Sequence, residues 1–452
     1  MATSTLLLIA VFAVALLLFL VIRIKLSAFV ALLLVSIVTA LVAGIPMDKV
    51  MPTMIAGMGG TLGSITIIVG LGAILGKLIE ESGGADALAS YFTKMLGETR
   101  TVAALACAGF ILGIPIFVDV GFIILVPIVL SFAKVNKTKA FVYGIPVVTC
   151  MLVVHVVVPP HPGPVAAAGI LNVDVGMLTL IGLVLSVPTA IVGFVTARYV
   201  INRFEATHAA TTQITVDPEP APVQNLAPAQ EPPSVGLIIA LILIPIGLIM
   251  CGTVGATIFE KGSTLYRFTQ FIGAPGTALM FSIILAFFTI GMGRWPLAKI
   301  SDIMDSALPA AAVVILVTGG GGVFGKVLAE SGVGTAMANA LASLGIPVLP
   351  AGFLIASALR ASQGSATVAI LTAAGLLSSA TAGLPDLERV LVTVAIGFGG
   401  LGFSHINDSL FWILTKYLNI SVSDGLRTWT VITSITGIAG FLFTWLAAAI
   451  LV

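Results

Sequence analysis

Residues 72–83 read GAILGKLIEESG, and residues 321–332 read GGVFGKVLAESG, 249 positions later (326 − 77). Both fit GxxxGKxxxESG. Apolar helices resemble one another by chance, but chance rarely preserves a lysine, a glutamate and a serine together at fixed spacing, so the two stretches mark an internal duplication. Two further pairs lie outward from it. Ala108-Gly109-Phe110 and Ala351-Gly352-Phe353 each stand twelve residues before a glycine, Gly121 and Gly364. His161 follows Gly121 by forty residues and His405 follows Gly364 by forty-one.

The duplicated halves sit in a chain of 452 residues that is 59% hydrophobic and 9% charged. Soluble domains carry about 25% charged residues, which excludes a soluble enzyme. Twenty Lys and Arg against nineteen Asp and Glu leave a net charge of +1, too little to hold nucleic acid. Forty-eight glycines and twenty-three prolines suit membrane helices, where neighbours satisfy freed backbone groups. Cys107, Cys150 and Cys251 stand unpaired in apolar stretches and read as core fillers, not as a disulfide or zinc site. The amino terminus lacks a basic n-region and a cleavage site, so its apolar run reads as a retained first span.

Spanning helices need about 20 apolar residues. The expected spans are 4–22, 26–44, 59–79, 139–158 and 176–200, then 235–252, 275–293, 308–328, 389–404 and 427–451. Stretches 101–132 and 347–381 each hold two short helices around a polar or glycine-rich break and read as re-entrant hairpins. Lys94 and Arg100 precede the first, and Lys134, Lys137 and Lys139 follow it, so both ends favour the cytoplasm. The same rule places Arg23, Lys25, Arg198 and Arg203 inside and the amino terminus outside. Residues 204–234 lack Lys and Arg, hold six prolines from Pro218 to Pro233, and read as a flexible cytoplasmic linker.

The expected fold is therefore an all-α polytopic membrane protein of two repeats, 1–203 and 235–452. Each has five full spans and one re-entrant hairpin, with broken helices at the midplane. An odd number of spans makes the second half enter the membrane from the opposite side. Such inverted repeats build secondary transporters.

Polar groups in the hydrocarbon core cost roughly 2.5–3.5 kcal/mol, so those present usually face a cavity or each other. Four places hold nearly all of them: 114–121 with Asp119 and Gly121, 360–367 with Arg360, Ser362, Gln363, Gly364, Ser365 and Thr367, and two segments expected to unwind. These are 155–164, with four prolines in six residues and His161, and 399–408, with Ser404, His405, Asn407 and Asp408. A hairpin tip followed by a helix presents free N–H groups suited to a carboxylate. The hydroxyl and amide side chains suit a substrate with several hydroxyls, and Asp119, Asp408, His161 and His405 can change protonation.

Each reading has a plainer rival. Asp119 and Asp408 are also good N-caps, and His155 fits a packed interior as well as a titrating site. Arg360 is suited both to clamping a substrate carboxylate and to neutralising a nearby acid or hairpin carbonyls. The run from Gly320 to Lys326 ends in Val327 where a phosphate-binding loop needs Ser or Thr, and Gly397, Gly399 and Gly402 fit a dinucleotide fingerprint by letters alone. No cofactor or metal is called for.

Taken together, GxxxGKxxxESGG, IPIFVDVGF, VVPPHPGP, the 360–367 segment ending QGSAT, and FSHIND resemble the gluconate:proton symporter (GntP-type) family. Its relatives carry gluconate, other sugar acids or D-serine. The resemblance covers the chain apart from the linker. It implies import of a hydroxylated monocarboxylate with protons across a bacterial cytoplasmic (inner) membrane. It also implies kinship with the wider ion transporter superfamily, typically homodimers with a scaffold domain and a mobile transport domain. In that pattern the hairpins and the segments around His161 and His405 form the transport domain, and an elevator movement is one form of its alternating access. Where sodium-coupled relatives have Ser-Asn-Thr-type tips, this chain has Val118-Asp119-Val120, which favours a protonatable carboxylate. An anion channel is the rival from another class, because hairpins also line pores.

Overall fold

A computed structural model describes residues 2–96, 100–136, 138–208, 232–406 and 408–452, and its described elements are all helical. The first half opens with α1 (Thr3–Leu18), a π-turn over Phe19–Arg23, α2 (Ala28–Val42), α3 (Met47–Glu81) and α4 (Gly84–Leu96). A hairpin of α5 (Thr101–Leu112) and α6 (Val118–Val135) follows, then α7 (Phe141–Val157), α8 (Pro162–Leu171) and α9 (Val175–His208). The second half begins with α10 (Val235–Ile258), α11 (Thr264–Gly273), α12 (Pro275–Ala286), a π-turn over Phe287–Gly291, α13 (Leu297–Glu330) and α14 (Val333–Ser343). It closes with the hairpin α15 (Val348–Gln363) and α16 (Ala366–Thr381), then α17 (Asp386–Leu401), α18 (Ser409–Tyr417), α19 (Val422–Gly425), a π-turn over Leu426–Thr430, and α20 (Val431–Leu451).

Among the described residues six helices are long and apolar enough to cross a membrane, and eight are if two bent pairs each count as one: Met47–Gly63 with Thr66–Glu81 at 41°, and Thr264–Gly273 with Pro275–Gly291 at 65°. These eight overlap eight of the ten expected spans. The other two, 26–44 and 389–404, form helices of 15 and 16 residues, shorter than the ~20 of a straight crossing. Helices α3 and α13 begin well before the expected 59 and 308. Asp48, Lys49, Lys299, Asp302 and Asp305 lower the hydropathy there without breaking a helix. At ~1.5 Å per residue, helices of 35 and 34 residues run to about 50 Å, beyond the ~30 Å of hydrocarbon. The linker expected at 204–234 also shrinks, since α9 continues through His208; residues 209–231 lie outside the described set.

Helices α3 and α13, which carry the duplicated motif, pack antiparallel. Thr53 near the start of α3 donates to Glu330 at the end of α13, and a Cβ on Gly57 would lie 2.8 Å from the Gly322 carbonyl oxygen. Farther along, Gly319 meets Leu62. Only glycine admits so close a crossing. Their neighbours exchange halves, α2 packing on α13 and α12 on α3. At the centre, α7 with α8 and α17 are enclosed by protein, α5 and α15 lying alongside α7 and α17 and α9 and α20 outside them. Short α11 turns Leu265, Phe268 and Phe271 outward at three-residue spacing, an apolar edge suited to the membrane interface.

Candidate functional site

Four chain breaks converge. The first hairpin breaks over residues 113–117, where Pro115 cannot continue α5. The expected break glycine, Gly121, lies instead one turn inside α6, with its N–H donated to the Phe117 oxygen at 2.8 Å. Its value is steric, since a Cβ there would come 2.4 Å from the end of the Met151 side chain. In the second hairpin Gly364 does sit at the break, with φ +83°, a left-handed conformation that favours glycine. Ser365 caps α16 by accepting from the Val368 N–H. The N-cap positions Phe117 and Ser365 are 248 residues apart (365 − 117), in step with the GxxxGK motif and not with the Gly121/Gly364 pairing.

The two histidines expected at the unwound segments occupy matching places. His161 is buried and its Nε2 donates to the Gly113 carbonyl oxygen at 2.7 Å; His405 Nε2 donates to the Ala361 oxygen at 2.7 Å. Each ties a broken segment to the last turn, or the cap, of the first helix of its own hairpin. Because a carbonyl only accepts, Nε2 carries the proton in both rings. His155 packs against His161 with ring centroids 4.1 Å apart, and its Nδ1 is buried without a partner among the described residues.

Arg360, 2% exposed, forms a buried ion pair with Asp408. The pair sets an acid against the Arg360 guanidinium. Asp408 is also the N-cap of α18, accepting from the Leu410 N–H, and it accepts from the Ser404 hydroxyl. Ser404 in turn accepts from the Trp429 indole at 2.7 Å, while the Thr430 hydroxyl donates to its carbonyl oxygen at 2.7 Å. Arg360 Nε has no partner among the described residues. The chain Arg360–Asp408–Ser404–Trp429 therefore joins the hairpin, the broken segment and the π-turn that leads into α20 in one buried network.

The halves meet at this network. Asp119, in the first turn of α6, accepts from the Ser409 hydroxyl at 3.4 Å, one residue beyond Asp408, and lies within electrostatic reach of Asp408 and Arg360. On the other side, α8 of the first half packs against α16 of the second, with Gly163 beside Thr367. Ser362 is half-buried and its hydroxyl donates back to the Ala358 oxygen. Asn407 and the Gln363 side chain lie outside the described residues. Ser409, Trp429 and Thr430 were missed by sequence reasoning. Trp429 left a signal, since an indole N–H inside an apolar span needs an acceptor; Ser409 left none. Among the described residues no cluster of metal-ligating side chains occurs.

With this geometry in view, the chain was compared with known proteins. A family profile described as GntP family permease matches residues 5–450. The inner membrane permease YgbN of Escherichia coli (strain K12) is 56% identical, with 100% of both chains covered. The low-affinity gluconate transporter of the same strain is 35% identical over 97% of each chain. Among solved structures, the YdaH transporter of Alcanivorax borkumensis matches with a TM-score of 0.62 at 12% identity, covering 93% of this chain and 98% of that one, a likeness of fold.

Proposed function

The chain belongs to the GntP family of permeases, and from that premise we propose that it imports gluconate or a similar hydroxylated monocarboxylate by proton symport. It is a membrane transporter and not an enzyme. The buried Arg360–Asp408 pair carries the mechanism. Without substrate the pair is neutral. A proton on Asp408 releases the guanidinium to a substrate carboxylate, and the loaded site is neutral again. Substrate without the proton leaves an uncompensated negative charge in a buried site, which costs several kcal/mol. Proton and anion therefore bind together and favour each other by the same factor. Asp119 is the second proton candidate. Gly364, Ser365, Thr367 and Ser362 beside the α16 N-terminus supply donors and acceptors for the hydroxyls.

The architecture proposed for this cycle is the inverted repeat, 1–203 against 235–452, with both hairpins re-entrant. The antiparallel α3–α13 pair and the exchanged packing of α2 and α12 support it. The hairpins with α7, α8, α17 and α18 form the moving domain, and α1–α3 with α10–α13 the scaffold of a homodimer. Movement is elevator-type, with the amino terminus outside and the linker in the cytoplasm.

The test is uptake of labelled gluconate into proteoliposomes under an imposed inward pH gradient. Wild type accumulates gluconate, saturably and without ion conductance. Asp408→Asn exchanges gluconate across the bilayer but no longer accumulates it. Accumulation by both Asp408→Asn and Asp119→Asn removes the proposed coupling, and conductance in wild type favours a channel.

A further inference from the structure

A cavity of ≈680 Å³ lies away from the Arg360 network, among the α8–α9 turn, the end of α10, the start of α12 and the start of α17. It is large enough for a small polyhydroxy acid. Its lining is mixed: Asp174, Thr253, Gln270, Asp386 and Arg389 stand among aliphatic side chains. The two acids are both engaged. Asp174 accepts from the Met177 N–H at 2.7 Å and from the Thr253 hydroxyl at 3.2 Å, and Asp386 pairs with Arg389. Asp386 is 81% exposed, so that pairing is held weakly by water-facing charge, whereas Arg389 Nε is buried and has no partner among the described residues.

Below the cavity the path narrows. Val175, Ile249 and Pro275 line both it and a void of ≈20 Å³, room for about one water, whose other walls include Ile114, Pro115, Pro159 and Pro160. Those four residues belong to the first hairpin break and the first broken segment. A polar chamber thus adjoins an aliphatic and prolyl neck walled by the elements that carry Asp119 and His161.

We propose that this chamber is a second, outward-facing binding site for the transported monocarboxylate. Arg389, exchanging Asp386 for the substrate carboxylate, is its recognition residue, and Gln270 and Thr253 meet the hydroxyls. The inference rests on the transport reading and orientation above, which place these helix ends outside. The site loads substrate before the neck opens to the Arg360 network.

Initial rates of gluconate uptake in right-side-out and inside-out membrane vesicles test it. Arg389→Gln raises KM on the order of tenfold in right-side-out vesicles, as expected for losing a hydrogen bond to a charged group, with Vmax unchanged and inside-out KM at the wild-type value. Asp386→Asn, which frees Arg389, leaves KM equal or lowers it in right-side-out vesicles. A wild-type KM for Arg389→Gln overturns the proposal, as does a rise of equal size in both orientations or one confined to inside-out vesicles. If Asp386→Asn raises KM as Arg389→Gln does, the pair only props α17 and the proposal falls. Absence of gluconate uptake by wild type overturns the transport reading itself, a failure distinct from these.

Discussion

Replacing Asp408 by Asn isolates the charge of the buried pair. Asparagine still accepts from the Leu410 N–H and remains a good N-cap, so α18 keeps its start. What is lost is the negative charge facing Arg360, which is 2% exposed and, being a guanidinium, stays protonated. Removing one partner of a buried pair costs about 3–5 kcal/mol, because the other charge is left uncompensated. For a chain of 452 residues that lowers the midpoint of thermal unfolding by roughly 3–5 °C. The double variant Arg360→Met/Asp408→Asn removes both charges and regains at least about 2 kcal/mol, the coupling expected of residues in direct contact. The assay is the temperature at which half of the detergent-purified protein leaves the monodisperse peak on size exclusion. Gluconate stabilises Asp408→Asn more than wild type, since its carboxylate takes the empty place. An Asp408→Asn midpoint within a degree or two of wild type, or a double variant no better than the single, refutes the reasoning.

Three further substitutions probe packing and hydrogen bonding, read by the same midpoint. Gly76→Ala places a Cβ 2.6 Å from the Pro115 carbonyl oxygen, a backbone atom that yields only if the hairpin break shifts, and destabilises by about 1–3 kcal/mol. Gly59→Ala on the same helix meets nothing within 4 Å and is neutral or stabilises by up to about 1 kcal/mol. Trp429→Phe keeps the buried ring but removes the donor to Ser404, costing about 1–2 kcal/mol. Because Ser404 also donates to Asp408, its effect is not additive with that of Asp408→Asn.

Local physics made much of this protein legible. A proline run removes helix hydrogen-bond donors and a glycine admits left-handed backbone, so the unwinding after Val157 and the second hairpin break at Gly364 follow from local composition. Gly121 is the instructive exception. Spacing alone paired it with Gly364, yet Pro115 ends α5 first, and Gly121 serves close packing against Met151. Hydropathy likewise located the apolar middle of α3 and α13 and missed their polar first turns. The histidines were noticed for their capacity to titrate; the structure shows both His161 and His405 donating to hairpin carbonyls.

The amino-acid sequence by itself determined that this is a helical membrane protein, that a GxxxGKxxxESG motif recurs 249 residues apart (326 − 77), and that its rare polar residues collect at breaks. Those properties depend on hydrophobicity, periodicity and backbone propensity, which act over a few turns of chain. Only the tertiary structure decided which polar groups meet. Arg360 and Asp408 are 48 residues apart, and Asp119 and Ser409 are 290 apart. Their pairing depends on how helices cross, and burial forces a partner on each charge without specifying in the sequence which one it will be.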